Sequence, residues 1–211
     1  MSPDSTNHPL FAKLTSLKIR GIQARAPNAS SSFVGIAAFD WAQYFCSMPM
    51  LSDLSLSRLR TSNDLLSTCG AETYRQILRN APKSLKRLKL YCGFHLLIDN
   101  FVTLGEVASL IMNRNLCKLR ELRLIDIYPE QGNVIDDMFV SCLPKKLRRF
   151  ELRSKLGILG FCLSPKGWSS FPHSLQVFRL DCTLLQYAES MMAGLRDSLP
   201  SSCRLIIPPT K

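Results

Sequence analysis

The sequence predicts an α/β fold in which about seven similar units stack side by side. Each unit gives one strand to a curved parallel sheet and one helical segment to the convex outside of that sheet, through right-handed connections. Three observations predict it: a short apolar phrase that recurs seven times, prolines at a fixed place ahead of that phrase, and helical spacing of apolar residues between the copies.

The phrase carries apolar residues at its positions 1, 4 and 6. The copies are Leu14, Leu17 and Ile19; Leu51, Leu54 and Leu56; Leu85, Leu88 and Leu90; Leu119, Leu122 and Leu124; Leu147, Phe150 and Leu152; Leu175, Phe178 and Leu180; and a degenerate Cys203, Ile206 and Pro208. Successive copies start 37, 34, 34, 28, 28 and 28 residues apart. Positions 4 and 6 alternate with polar residues at 3, 5 and usually 7, the period-two pattern of a strand with one buried face. Pro82, Pro144, Pro172 and Pro200 stand three residues ahead of a copy, and Pro49 stands two ahead. Proline cannot continue a helix and disfavours helix in the residue before it, so each marks a change from helix to extended chain.

Between the strands, in order, Phe33 to Cys46 is strongly apolar and Glu72 to Asn80 has helical composition. Thr103 and Glu106 have capping-box spacing and open a helix through about Met112. Val134 to Cys142 and Gln186 to Ser198 place apolar residues at helical intervals. Lys155 to Phe171 is interrupted by Gly157, Gly160, Pro165 and Gly167, which predicts loop or 3₁₀-helix. Pro208 and Pro209 remove ladder donors and blunt the edge after the last strand.

These seven in-phase copies, over roughly residues 10 to 208, resemble the leucine-rich-repeat family, and the 28-residue spacing is most similar to its ribonuclease-inhibitor-like class. The resemblance implies a right-handed horseshoe solenoid whose concave sheet face binds a partner. The family usually has Asn or Cys at position 9, where this chain has Ile22, Leu59, Gly93, Ile127, Lys155 and Thr183, with Cys92 and Cys182 one place early. The turns leaving the strands are therefore expected to vary between repeats. Many intracellular members carry an F-box and act as substrate receptors of ubiquitin ligases; residues 1–13 hold no Leu-Pro-x-Glu box, so that role is an analogy. The domain reading is a weak N-terminal cap over 1–13 and a repeat domain over 14–211. Only Leu10 and Phe11 are apolar candidates for that cap, so the chain is expected to be part of a longer protein or to be capped by a partner.

With 27 Lys and Arg against 16 Asp and Glu, the net charge of +11 favours an acidic partner. The eight cysteines, at 46, 69, 92, 117, 142, 162, 182 and 203, fall about once per repeat, and no Cys-x-x-Cys pair occurs. They are expected to be compact core residues, not metal ligands or a disulfide framework. No secretory signal is visible at the start, and the longest apolar stretch, Phe101 to Met112, is too short to span a bilayer. An intracellular chain, cytoplasmic or nuclear, with reduced thiols is expected. His8, His95 and His173 are far apart, and no phosphate-binding loop, nucleophile elbow or metalloprotease helix is present. Neither catalysis nor a cofactor nor a metal is expected.

Function is expected on the concave face, where positions 3, 5 and 7 point. The candidate partner-binding residues there are Arg87, Lys89, Tyr91, Arg123, Ile125, Arg149, Arg153 and Arg179, because arginine and tyrosine dominate protein interfaces. A second feature is a basic edge at the strand entrances: Lys83, Lys86, Lys118, Arg120, Lys145, Lys146 and Arg148. The expected function is a non-catalytic scaffold, monomeric or part of a larger complex, that binds another protein. The alternative is a nucleic-acid-associated or ribonucleoprotein factor using the basic edge, which strong salt dependence of binding would reveal.

Overall fold

The computed structural model describes residues 9–20, 41–57, 76–91, 104–113, 116–125, 134–154, 160–182 and 189–207. Seven strands form one open, all-parallel sheet in chain order: β1 (Ser16–Arg20), β2 (Asp53–Ser57), β3 (Arg87–Tyr91), β4 (Glu121–Ile125), β6 (Arg149–Ser154), β8 (Val177–Cys182) and β9 (Arg204–Ile206). Two short strands, β5 (Val134–Asp136) and β7 (Gly160–Cys162), pair in parallel apart from it. The helices are α1 (Pro9–Ala12), α2 (Trp41–Cys46), α3 (Leu104–Asn113), α4 (Asp137–Cys142), α5 (Pro165–Trp168) and α6 (Glu189–Ser198), and residues 76–79 are also helical. No described helix is long and apolar enough to cross a membrane.

Each strand begins the same way. The amide of phrase position 1 donates to the carbonyl three residues earlier, as in Leu85 to Pro82 at 3.1 Å, Leu147 to Pro144 at 2.9 Å and Leu175 to Pro172 at 2.9 Å. The position-2 carbonyl then accepts two amides from the next strand: Lys86 O takes Arg120 N at 2.8 Å and Glu121 N at 3.0 Å, and Arg120 O takes Arg148 N at 2.8 Å and Arg149 N at 3.0 Å. This ladder locks the register. Leu17, Leu54, Leu88, Leu122, Phe150, Phe178 and Leu205 form one row, and Ile19, Leu56, Leu90, Leu124, Leu152 and Leu180 the next.

From β2 to β8 these two rows are buried, and they join Phe45, Ile77, Leu104, Val107, Ile111, Phe139, Val140 and Leu195 from the helical segments in one core. The helices thus cover the face to which positions 4 and 6 point. Burying each such side chain stabilises by about 1.5–3 kcal/mol relative to exposure. Phe11 of α1 packs on this core at the β1 end, its ring 5.9 Å from Tyr44.

Several expectations change. Val134–Asp136 is a strand, not the start of a helix: β-branched Val134 and Ile135 suit a pleat, and Asp136 caps α4 by accepting from Phe139 N at 2.7 Å. The segment predicted as loop or 3₁₀ holds β7 and α5, the latter opened by Ser164 as N-cap and Pro165 inside the first turn. In the seventh copy the turn closes on Cys203 as expected, yet Leu205, not Ile206, pairs with Phe178, so one residue is missing between turn and strand.

The cysteine expectation is corrected as well. Cys46, Cys117 and Cys162 are exposed and Cys203 is half-buried; of these described thiols only Cys142 lies in the core. Cys46 and Cys142 both end six-residue helices, yet Cys46 is exposed and Cys142 is buried, so equivalent places in the repeat are not equally covered. Burial pushes the Cys142 and Cys203 thiols up, which keeps them protonated at neutral pH. Cys69, Cys92, His8, His95 and every position-9 residue named above lie outside the described residues, as do Thr103, residues 33–40 of the segment predicted helical up to Cys46 and residues 72–75 of the one up to Asn80.

A polar clamp joins α4 to α5. Asp137 accepts from Ser164 N at 2.9 Å and from the Ser164 hydroxyl, and that hydroxyl oxygen accepts from Gly167 N at 3.2 Å. A Cβ on Gly167 would lie 1.8 Å from Asp137 Oδ1, so any side chain there expels the carboxylate. Gly167→Ala should lower stability through the lost hydrogen bonds. The same change in an Asp137→Ala background should cost almost nothing, and a double-mutant cycle by urea unfolding measures the difference.

The two Ser164 donors, with Lys166 nearby, also hold the Asp137 carboxyl below its ordinary value of 3.8. A carboxyl with a depressed folded-state pKa contributes stability that is present above the unfolded pKa and lost as pH falls through the folded one. The difference in thermal midpoint between the native chain and Asp137→Asn should therefore be constant above about pH 5 and shrink progressively as pH falls below 3.8. A difference that persists at the acid end would contradict this role of the clamp.

Candidate interaction surface

Strand alternation sends positions 3, 5 and 7 to the face opposite the core. The register sets them side by side across strands. Asp53, Arg87, Glu121 and Arg149 form a row of alternating sign on β2, β3, β4 and β6. The next row runs Lys18, Ser55, Lys89, Arg123, Glu151 and Arg179. Tyr91 pairs with Ile125, and Arg153 with Asp181. All eight candidate partner-binding residues therefore share one face, on β3, β4, β6 and β8.

Most of their charge is answered within the face. Glu151 is 0% exposed and sits among four guanidinium groups: Arg153 Nε at 2.6 Å, Arg149 Nη2 at 3.5 Å, Arg123 Nε at 3.6 Å and Arg179 Nε at 3.9 Å. Glu121 pairs with Arg123 and with Arg149 at 3.7 Å, while Asp181 lies 3.6 Å from Arg179 and 3.9 Å from Arg153. Three carboxylates thus face four guanidinium groups.

A buried carboxylate left alone costs several kcal/mol, so the arginines are what lets Glu151 stay buried. Glu151 in turn fixes their directions. On the β3 side, Arg87 bonds Asp53 but is 64% exposed, so that pair contributes little. Lys89 Nζ sits 5.0 Å above the Tyr91 ring, both half-buried, and Ile125 is buried.

Glu151 is the residue that sequence reading passed over. The signal was there: an acid at position 5 with Arg149 and Arg153 on its own strand and Arg123 and Arg179 at position 5 of the strands on either side. Only the strand order turns that spacing into contact.

All seven residues of the predicted basic edge are exposed. Lys86, Arg120 and Arg148 occupy position 2 of consecutive strands, and with Ser52, Asp53, Arg87, Glu121 and Arg149 they line an open groove of about 400 Å³. Its two carboxylates are already engaged, Asp53 by Arg87 and the Ser52 hydroxyl, Glu121 by Arg123 and Arg149. Lys86, Arg120 and Arg148 form no ion pair among the described residues. Lys83, Lys118, Lys145 and Lys146 stand in the turns just ahead of the strands. The described residues bring no group of three or more His, Cys, Asp or Glu into a metal-binding cluster. In comparison with known proteins, no family model matches the chain, and no curated protein or solved structure is significantly similar to it.

Proposed function

We propose that the chain is a right-handed solenoid of the leucine-rich-repeat type that does no chemistry and binds another protein on the polar face of its sheet, the concave side. Repeated phrases, parallel strands in chain order and helical segments on a single face support the architecture. Parallel strand-to-strand crossovers are right-handed in nearly all proteins.

One observation carries the binding reading: an accessible face, several strands wide, whose arginines are held in place by a buried glutamate. Such side chains lose little entropy when a partner docks, and preorganisation of that kind is what turns contact area into affinity. Lys89 and Tyr91 lie beside the network without belonging to it, so they serve as probes that leave it intact. Affinity capture from the source cells should lose its specific proteins when Lys89→Glu and Tyr91→Ala are combined, with the circular dichroism spectrum unchanged. Retention of the same set by the double variant would refute the reading.

A further inference from the structure

We infer that the strand-entry groove takes an extended acidic peptide segment, carried by the partner, whose carboxylates meet Lys86, Arg120 and Arg148. The inference rests on the protein-binding reading above and names the chemistry of one part of that partner.

Charge accounting points to the groove. On the face itself each described carboxylate is paired with one or more arginines, so the guanidinium groups of Arg87, Arg123, Arg149, Arg153 and Arg179 are already engaged. Lys86, Arg120 and Arg148 are exposed and have no ion-pair partner among the described residues. They are also fixed at the backbone, because the carbonyl of each accepts two amides from the following strand.

Three consecutive strands ~4.8 Å apart set these cations along a row of roughly 10 Å. An extended chain covers that distance with three or four residues at about 3.3–3.6 Å each. The exposed guanidinium groups of Arg120 and Arg148 present the planar fork that matches a carboxylate.

A nucleic-acid strand fits the groove less well. None of its lining residues is aromatic, so it offers no platform for a base to stack on.

The test uses the full chain and a fluorescent octaglutamate peptide, read by anisotropy in 50 mM and 100 mM salt, with octaglutamine and an octauridine strand beside it. Octaglutamate should bind, octaglutamine should not, and the combined change of Lys86, Arg120 and Arg148 to Gln should weaken octaglutamate at least tenfold. Changing the exposed Lys13, Lys166 and Arg196 to Gln removes the same charge elsewhere and should weaken it less than twofold.

Equal losses in the two triple variants would overturn the inference by reducing it to diffuse attraction. Tighter binding of octauridine, lost in the groove variant, would overturn it in favour of nucleic acid. No octaglutamate binding at 50 mM salt would also overturn it. Each of these results leaves the Lys89 and Tyr91 capture experiment standing, so failure of the groove and failure of the face are read separately.

Discussion

Phe150→Ala should lower the free energy of unfolding by about 4 kcal/mol, a large share of the 5–15 kcal/mol typical of a domain. Phe150 is fully buried, and its ring stacks on Phe178 at 5.2 Å with an 8° interplanar angle. It lies 5.9 Å from Phe139, Phe178 lies 5.9 Å from Phe171, and Phe171 lies 6.4 Å from Trp168. One chain of aromatic contacts therefore ties α4, β6, β8 and α5. The backbones on both sides of Phe150 are held in the ladder, so the site collapses poorly around a deletion and the cavity cost stays high. Phe150→Leu restores the residue that most copies carry at this position and should cost only about 1–1.5 kcal/mol. Phe150→Ala and Phe178→Ala together should cost about 1 kcal/mol less than their sum, because each removes the same stacked pair. Urea unfolding monitored by circular dichroism measures all four variants. A loss below 1 kcal/mol for Phe150→Ala would show that the aromatic chain does not hold these repeats.

The strands were legible because a parallel strand with one buried face repeats every second residue, and a slip of one place would turn Leu54 or Leu122 to the polar side. Prolines marked the turns for a physical reason, and the Pro82, Pro144 and Pro172 carbonyls do close them. The β5–β7 pair escaped because three residues are too few to show a period, and Val134 and Ile135 continue the apolar spacing of Phe139 and Val140. In the last copy Leu205, Ile206 and Ile207 are all apolar, so pattern alone fits two registers and only pairing with Phe178 selects one. Cysteine spacing misled because equal intervals along the chain are not equal depths in it.

Position on the candidate face was legible in the same way, since positions 3, 5 and 7 follow once positions 4 and 6 are buried. Charge balance was not. Counted along the chain, the face carries eight basic and four acidic residues and reads as a positive surface. Stacked in strand order, Glu121 falls between Arg87 and Arg149, and Glu151 between Arg123 and Arg179, so the central arginines are answered within the face. Lys86, Arg120 and Arg148 at the strand entrances have no ion-pair partner among the described residues. Composition gives a net charge; only the register tells which charges are free.

Glu151→Gln tests that register directly, with an expected loss of about 3 kcal/mol. The substitution keeps the shape and removes one negative charge, leaving Arg123, Arg149, Arg153 and Arg179 around a neutral amide. Breaking a buried ion pair from one side typically costs 3–5 kcal/mol, and the low end applies because the four arginine side chains are 29–38% exposed and partly screened by water. Glu121→Gln, whose carboxylate is 19% exposed, should cost about 1 kcal/mol. What remains after Glu151→Gln is repulsion among cations, so added salt should raise the stability of this variant more steeply than that of the native chain. Removing Arg153, the closest partner at 2.6 Å, together with Glu151 should recover part of the loss, because one cation leaves with the anion. A variant that loses less than 0.5 kcal/mol and shows no added salt response would mean that the arginines do not depend on Glu151. The face would then not be preorganised, and the observation that carries its binding role would be gone.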